Sequence, residues 1–122
     1  MSKVIPIIEN IKNVLDTMDK ISQFVGDMSY DDFIEDDKTL FAVSKAIELI
    51  GETLKHFPET IKREYPGVPW QDIYGMRNFL AHNYFDSDKD EIWMTVNDDI
   101  PELRPIIEQI LKKELEKKNY QE

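Results

Sequence analysis

The run RNFLAHNY at residues 77–84 holds the side chains of this sequence that are best suited to chemistry. His82 can take or give a proton near neutral pH. Arg77 can hold a phosphate group through paired hydrogen bonds and can stabilise the extra charge of a transition state. Asn78 and Tyr84 add polar groups within two helical turns. These residue types in this spacing favour cleavage of a phosphodiester, such as that of RNA, without a metal ion.

Structural interpretations of the same residues stand beside the catalytic one. At about 100° per residue, Arg77 falls near the middle of the apolar arc of its helix. An arginine keeps its charge and is rarely buried without a partner. Arg77 therefore either pairs in the core, with Glu48 or Glu52, or faces a site. A lone helical histidine is more often an ordinary surface residue than a catalytic one, and His56 is interpreted in that way. His82 differs from His56 because Arg77, Asn78 and Tyr84 lie within one or two helical turns of it.

The spacing of Arg77 and His82 has a consequence for assembly. The two residues lie about 140° apart around an ideal helix. His82 shares a polar face with Asn78 and with Gly75, which would let another backbone approach closely. The two side chains can meet at one substrate only at the edge of the helix, at a kink, or by pairing with the same residues of a second copy of the chain. Of these we predict the second copy, in a homodimer with a composite site at its interface.

The elements that position these residues are predicted by the apolar pattern. In the first two long segments apolar residues recur at steps of three and four, which is typical of helices packed lengthwise. In the first segment they are Val4, Ile7, Ile11, Val14, Met18, Ile21 and Val25, followed by Gly26 as a stop. In the second they are Leu40, Val43, Ile47, Ile50, Leu54 and Phe57.

Further helices complete the predicted fold. Short ones are expected at about 30–35 and 58–65, and a third long helix from Pro69 and Trp70 to about Phe85. A last long helix carries the apolar residues Leu103, Ile106, Ile107, Ile110, Leu111 and Leu115. The fold class is all-α, an up-and-down bundle of four long helices with short additional helices. Residues 1–122 fit one domain, with a frayed end at about 116–122.

The net charge of −10 is unevenly placed. Residues 27–37 hold six acids and no base, and residues 86–102 hold seven acids against Lys89. Each of the two segments has a net charge of −6, so together they carry −12 and the remaining chain carries +2. Both segments are interpreted as connecting stretches. Charge therefore neither supports RNA binding nor excludes a local RNA site.

Composition narrows the remaining classes. The chain has no cysteine, which excludes disulfides, thiolate nucleophiles and cysteine-based zinc sites. No apolar run approaches the roughly 20 residues of a membrane span, and polar residues interrupt the N-terminus too early for a signal peptide. We expect a cytoplasmic protein with no membrane association, no metal ion and no cofactor.

With these features the sequence resembles the HEPN superfamily, and within it the HepT-like toxin branch. That branch is marked by an arginine, four residues, a histidine, any residue and a tyrosine, here Arg77, His82 and Tyr84. Asn78 matches the polar residue that commonly follows the arginine. The resemblance extends to Ile50-Gly51-Glu52, to the Pro69-Trp70 entry and to the order of helices over roughly residues 3–115.

The resemblance implies more than spacing does. HepT-like proteins are homodimeric helical bundles whose paired motifs form a cleft that cuts RNA without metal. They are usually encoded beside a minimal nucleotidyltransferase antitoxin, which silences the toxin by transferring AMP to the tyrosine of the motif, here Tyr84. Arg77, Asn78 and His82 are then the catalytic residues. Two alternatives stay open: a non-catalytic dimeric binding module for a nucleotidyltransferase, and a bundle in which Arg77 and His82 are only structural.

Overall fold

The protein is a helical bundle in a computed structural model that describes residues 4–71, 73 and 89–121. Six α-helices and one π-helix are defined in these ranges, which contain no strand, and this confirms the predicted all-α class. The helices are α1 (Val4–Val25), α2 (Tyr30–Glu35), α3 (Asp37–Lys55), α4 (Glu59–Glu64), α5 (Lys89–Met94) and α6 (Ile100–Gln121). The π-helix, Thr95–Asp99, joins α5 to α6.

The core forms where α1 packs against α3 and α6. The apolar residues predicted to line α1, from Ile7 to Val25, are all buried, and so are the predicted residues of α3 and Phe57 after it. From α6, the buried apolar residues are Leu103, Ile107 and Ile110, whereas Ile106 and Leu111 are only partly buried and Leu115 is exposed. Arg104 crosses the α1–α6 contact with an ion pair to Asp19 at 2.8 Å. The heptad-like spacing of α1 and α3 therefore correctly predicts which face each helix buries.

The connections between α1, α2 and α3 are short, and the ends of these helices are stabilised by capping residues. Gly26 ends α1 with a φ of 55°, a backbone conformation that favours glycine. Ser29 and Asp32 form a capping box at the start of α2. The side chain of Asp36 then accepts a hydrogen bond from the backbone N–H of Thr39 at 3.0 Å, which caps α3. These caps explain why the predicted short helix at 30–35 forms.

The interpretation of residues 86–102 as a connecting stretch is wrong from Lys89 onwards. The chain is helical there, through α5 and the π-helix directly into α6. Asp90 and Glu91 lie in the first turn of α5, where negative charge complements the helix dipole. The last helical region therefore starts well before Leu103, and α6 continues to Gln121, through the stretch that was expected to fray.

Proline explains the π-helix between α5 and α6. Pro101 has no N–H to donate to the carbonyl of Asn97, so a regular α-helical bond is lost there. Just before it the winding loosens, and the N–H of Ile100 bonds to the carbonyl of Thr95, five residues back. The Asn97 side chain donates to the carbonyl of Trp93 at 2.9 Å, which satisfies another carbonyl of the region. The long helical region changes its winding without breaking.

Phe33 should be among the most important side chains for stability. It is completely buried in α2, and its ring lies 5.1 Å from that of Trp93 in α5. We expect Phe33→Ala to lower the free energy of unfolding by about 3–5 kcal/mol, because it leaves a cavity at the α2–α5 contact. Phe24→Ala, at a side chain that is 43% exposed, is the control and should cost far less. Urea unfolding followed by circular dichroism measures both, and similar losses would contradict the assigned role of Phe33.

Candidate functional site

The residues predicted to carry chemistry, Arg77, Asn78, His82 and Tyr84, lie outside the described residues. Gly75 and most of the predicted third long helix do so as well. The pairing of Arg77 with Glu48 or Glu52 and the roles of all four residues therefore stay predictions. The structure does describe the chain on both sides of residues 74–88, and these flanks determine where that segment enters and leaves the bundle.

The N-terminal flank is anchored by Trp70. Its side chain is buried, its Nε1–H donates to the carbonyl of Tyr65 at 3.1 Å, and its ring centroid lies 6.4 Å from that of Phe57. The N–H of Ile73 donates to the carbonyl of Pro69 at 3.1 Å, which is a first helical bond. The predicted helix start at Pro69 and Trp70 is confirmed as far as Ile73, four residues before Arg77.

The C-terminal flank is anchored by α2. The Lys89 amine donates to the carbonyl of Ile34 at 3.0 Å, and the Tyr30 hydroxyl donates to the carboxylate of Asp90. The Trp93 ring packs edge-on to Tyr30, with centroids 5.8 Å apart, and also contacts Phe33. The chain is therefore fixed within five residues of Tyr84. Sequence analysis missed this anchor, although an aromatic pair in α2 and a tryptophan in an acidic segment were available signals.

The anchors also bring together the two acidic segments. Because α2 packs against α5, Asp31, Asp32 and Glu35 of α2 lie on the same part of the molecule as Asp90 and Glu91 of α5. We call these five residues the acidic surface. Phosphate groups would be repelled there. The acidic surface is therefore unsuited to binding the phosphate groups of a nucleic acid.

The outer side of α3 carries the two glutamates proposed as partners of Arg77. Glu48 lies 3.8 Å from the Lys45 amine, and Glu52 lies 3.3 Å from Nε2 of His56. Both glutamates are partly exposed, with side-chain exposures of 34% and 48%, so neither is enclosed in the core. The His56 side chain, 66% exposed at the end of α3, fits the interpretation of an ordinary surface histidine.

A cavity of about 370 Å³ lies beside the N-terminal flank. Its described lining comes from α3, from residues 67–73 and from the α5–α6 region, and it is mainly apolar, with carboxyl groups from Glu91, Asp99 and Glu102. Ile73 lines it together with Ile50 of α3. The cavity therefore adjoins the point where the chain enters residues 74–88.

Asp99 is the titratable group of this cavity with a displaced pKa. Partial burial raises the pKa of Asp99, and the negative charges of Asp98 and Glu102 raise it further, while a hydrogen bond with Thr95 acts in the opposite direction. Folding therefore shifts the equilibrium of this carboxyl towards its protonated form, relative to the unfolded chain. Ionising Asp99 costs stability as the pH rises from about 3.9, the ordinary value for an aspartate, through the raised pKa.

Removing the Asp99 charge should therefore stabilise the protein at neutral pH. We expect Asp99→Asn to raise Tm by about 1–2 °C at pH 7, a small effect because solvent screens a partly exposed group. The gain should shrink as the pH falls and vanish below about pH 3.9, where the wild-type carboxyl is protonated. Glu116→Gln, which removes an exposed charge far along α6, is the control. Thermal unfolding across pH checks this, and an equal gain at every pH would contradict it.

No group of histidines and carboxylates among residues 4–71, 73 and 89–121 is arranged to hold a metal ion. None of the helices defined in those ranges is long and apolar enough to cross a bilayer.

The fold is an all-α bundle, and the motif of Arg77, His82 and Tyr84 lies in the sequence between two anchored flanks. This is the class of protein that the sequence predicts. Comparison with protein-family models gives the family: residues 14–110 match the HepT-like family, described as ribonuclease HepT-like. The chain belongs to this HepT-like ribonuclease family, and the resemblance noted from residues 77–84 is confirmed.

Relatives of nearly the same length support the assignment. The chain is 37% identical over 102 residues to a protein of Thermococcus cleftensis named "Probable ribonuclease HepT", covering 84% of this chain and 93% of that one. A protein of Methanocaldococcus jannaschii with a provisional RNase name is 39% identical over 106 residues, covering 87% and 90%. Another, from Caldanaerobacter subterraneus, is 34% identical over 104 residues, covering 85% and 93%. No solved structure matches the chain.

Proposed function

We propose that the protein is a metal-independent endoribonuclease that acts as a homodimer. The observation that carries this proposal is the family match over residues 14–110, which includes the whole run from Arg77 to Tyr84. The described flanks support it, because the chain is anchored on both sides of this run, at Trp70 and at Trp93. Arg77 and His82 are the central catalytic residues, and Asn78 supports them as a polar contact to the substrate.

In this proposal the RNA supplies its own nucleophile. His82 removes the proton from a ribose 2′-hydroxyl as the oxygen attacks the adjacent phosphorus, and the bond from phosphorus to the 5′-oxygen breaks. The departing 5′-oxygen takes a proton from water, His82 returns its proton to the solvent, and the product ends in a 2′,3′-cyclic phosphate. Arg77 holds the non-bridging oxygens and stabilises the charge that accumulates on them. The 140° separation of the two residues around one helix is the reason for a composite site in a dimer.

The chemistry of this proposal is tested with purified protein, RNA and excess EDTA. Cleavage should persist in EDTA and leave 2′,3′-cyclic phosphate ends. A substrate with a single 2′-deoxyribose at the cut position should resist cleavage there, because the nucleophile is missing. Dependence on added metal, or cleavage at the deoxyribose, would contradict the mechanism.

The partner we propose is a minimal nucleotidyltransferase that acts as an antitoxin. It would transfer AMP from ATP to the hydroxyl of Tyr84, with release of pyrophosphate, and so silence the nuclease in the cytoplasm. The support for it is the tyrosine of the motif, two turns beyond Arg77, where an attached phosphate can reach the guanidinium.

One observation favours a second candidate function, that of a non-catalytic binding module for a nucleotidyltransferase. The acidic surface and the net charge of −10 suit a protein partner better than RNA. In that case the protein binds the transferase but leaves RNA intact in EDTA. The cleavage assay therefore separates the two candidates.

A further inference from the structure

The cavity beside the N-terminal flank has the size and the walls of a site for a small organic molecule. Its volume is about 370 Å³, and ligand pockets usually measure about 300–1,000 Å³. Apolar side chains reach it from α3, from residues 67–73 and from α6, among them Ile47, Ile50, Val68, Leu103 and Ile106. The described walls therefore favour a ligand with an apolar body.

The same cavity carries negative charge that no nearby cation offsets. The carboxylates of Glu91, Asp99 and Glu102 line it, and the described part of the lining includes no lysine, arginine or histidine. None of the three takes part in an ion pair among the described residues. Burial and the charges of Asp98 and Glu102 raise the pKa of Asp99, and no positive charge acts in the opposite direction. The cavity therefore suits a ligand that is cationic as well as apolar.

The π-helix keeps the groups of this wall on one side. Four residues that line the cavity follow one another at four-residue steps: Glu91, Thr95, Asp99 and Leu103. In a regular α-helix each such step moves a side chain about 40° further around the axis. The looser winding of the π-helix turns the chain by a smaller angle per residue, which reduces this drift. Single turns of π-helix are also frequent at functional sites.

The carboxylates are spread along the cavity, which bears on the shape of the ligand. Glu91 and Asp99 are eight residues apart, or about 12 Å along a helix axis at about 1.5 Å per residue. No histidines and carboxylates in the described part of the chain converge in a way that could hold a metal ion. The spacing therefore favours an extended cation with several charges over a metal ion.

The α3 side of the cavity has a buried hydroxyl without a partner. Ser44 is 5% exposed, and its Oγ makes no hydrogen bond within the described structure. Ser44 lies about 20° from Gly51 around α3, and Gly51 lines the cavity. A serine hydroxyl can accept a hydrogen bond from an ammonium group, which only donates. An amine that extends along this wall would therefore satisfy the hydroxyl.

From these features we propose that the cavity binds an aliphatic polyamine. Its methylene segments pack against the apolar walls, and its ammonium groups bind the carboxylates of Glu91, Asp99 and Glu102. A metal ion lacks the apolar body, and a neutral hydrocarbon lacks the charge. None of these residues belongs to the run from Arg77 to Tyr84, so the proposal goes beyond the nuclease and does not depend on it.

Isothermal titration calorimetry tests the ligand class with two molecules of equal length. Diaminooctane, with an amine at each end, should bind at one site per chain, and spermidine, with a third amine, should bind more tightly. Octanediol, which has the same chain without charge, should bind at least about tenfold more weakly, because it forms no charge-assisted contact. The heat-capacity change should be negative for both amines, since apolar surface is buried. Mg²⁺ at equal ionic strength should not displace them.

Charge variants test the location. Glu102→Gln should weaken spermidine binding about twofold to fivefold, the range for a partly exposed ion pair. Combined with Asp99→Asn it should weaken binding about tenfold. Glu116→Gln, far along α6, and Asp31→Asn, on the acidic surface, remove the same charge elsewhere and should change the affinity little. All four residues are exposed, so the fold should be kept, and circular dichroism checks this.

The possible results differ clearly. One site per chain that is weakened by Glu102→Gln, and not by the two control variants, supports the polyamine site. Weak binding at many sites, lowered equally by all these variants, would reflect general attraction to an acidic protein and would overturn it. Octanediol that binds as tightly as diaminooctane, or spermidine that gives no binding at millimolar concentration, would overturn it as well.

Discussion

Replacing His82 by alanine should reduce RNA cleavage by a factor of about a hundred to ten thousand while leaving the fold unchanged. General acid–base groups accelerate reactions by factors in this range, and in the proposed mechanism His82 carries out the proton transfer. Single-turnover cleavage of a labelled RNA in EDTA measures the rate, and circular dichroism with thermal unfolding measures the fold. His56→Ala is the matched control, because it removes the other histidine, which is exposed and paired with Glu52 at the end of α3.

Arg77 should be as important, for a different reason. Arg77→Ala should abolish cleavage by removing the phosphate anchor, and Arg77→Lys should restore little of it, because a point charge does not replace a two-pronged donor. Thermal unfolding decides between the catalytic and structural interpretations of this residue. If Arg77→Ala lowers Tm sharply, the guanidinium is a buried partner of α3 and the catalytic role fails. If His82→Ala preparations still cut RNA at the wild-type rate, the assigned site is wrong.

The fold was largely predictable because three of its long helices follow simple periodic rules. The spacing of apolar residues in α1 and α3 correctly predicts the buried faces, and Gly26 correctly predicts where α1 ends. Local signals of this kind are enough when the period of the sequence matches the period of the helix.

Periodic rules do not predict the helices between Lys89 and Ile100. Apolar residues recur there at four-residue steps, at Ile92, Val96 and Ile100. The π-helix changes the winding, however, and acidic residues dominate the composition. Helical periodicity is therefore weak, although negative charge at the start of α5 is favourable. The contact between Tyr30 and Asp90 joins residues 60 apart in the sequence, and no local period encodes it. The candidate site, in contrast, is predicted from residue types, from their spacing and from the family resemblance, and its residues lie outside those that the structure describes.

Tyr84 provides the prediction that best separates a regulated nuclease from a bundle that only resembles one. On an ideal helix Tyr84 lies seven residues after Arg77, about 10 Å along the axis and about 20° around it, so the two side chains share a face. The structural alternative is that the tyrosine ring packs in the bundle with its hydroxyl at the rim. The regulatory interpretation requires that hydroxyl to be accessible to a transferase.

The chain is anchored to α2 shortly after Tyr84, which is relevant to the accessibility of the tyrosine hydroxyl. Lys89 and Asp90 are tied to α2, so the distance from Tyr84 to a fixed point is only five residues. The proposed transferase would have to reach Tyr84 close to this anchor. Once AMP is attached, its phosphate can form a charge-assisted contact with Arg77 and compete with RNA for it, while the adenosine adds bulk at the cleft.

Co-expression with a minimal nucleotidyltransferase of the proposed antitoxin class should therefore yield protein heavier by one or more adenylyl groups on Tyr84, with RNA cleavage abolished. Mass spectrometry of the intact protein and of its peptides gives the site, and the EDTA cleavage assay gives the activity. Tyr84→Phe should cut RNA at nearly the wild-type rate and stay active after treatment with the transferase and ATP. Tyr74→Phe is the control and should still be modified and silenced. An adduct on Tyr74 or Tyr120 instead would contradict the regulatory role of Tyr84. A fully modified Tyr84 in a protein that still cuts RNA would also contradict it, because the proposed silencing requires the AMP group to occupy the guanidinium of Arg77.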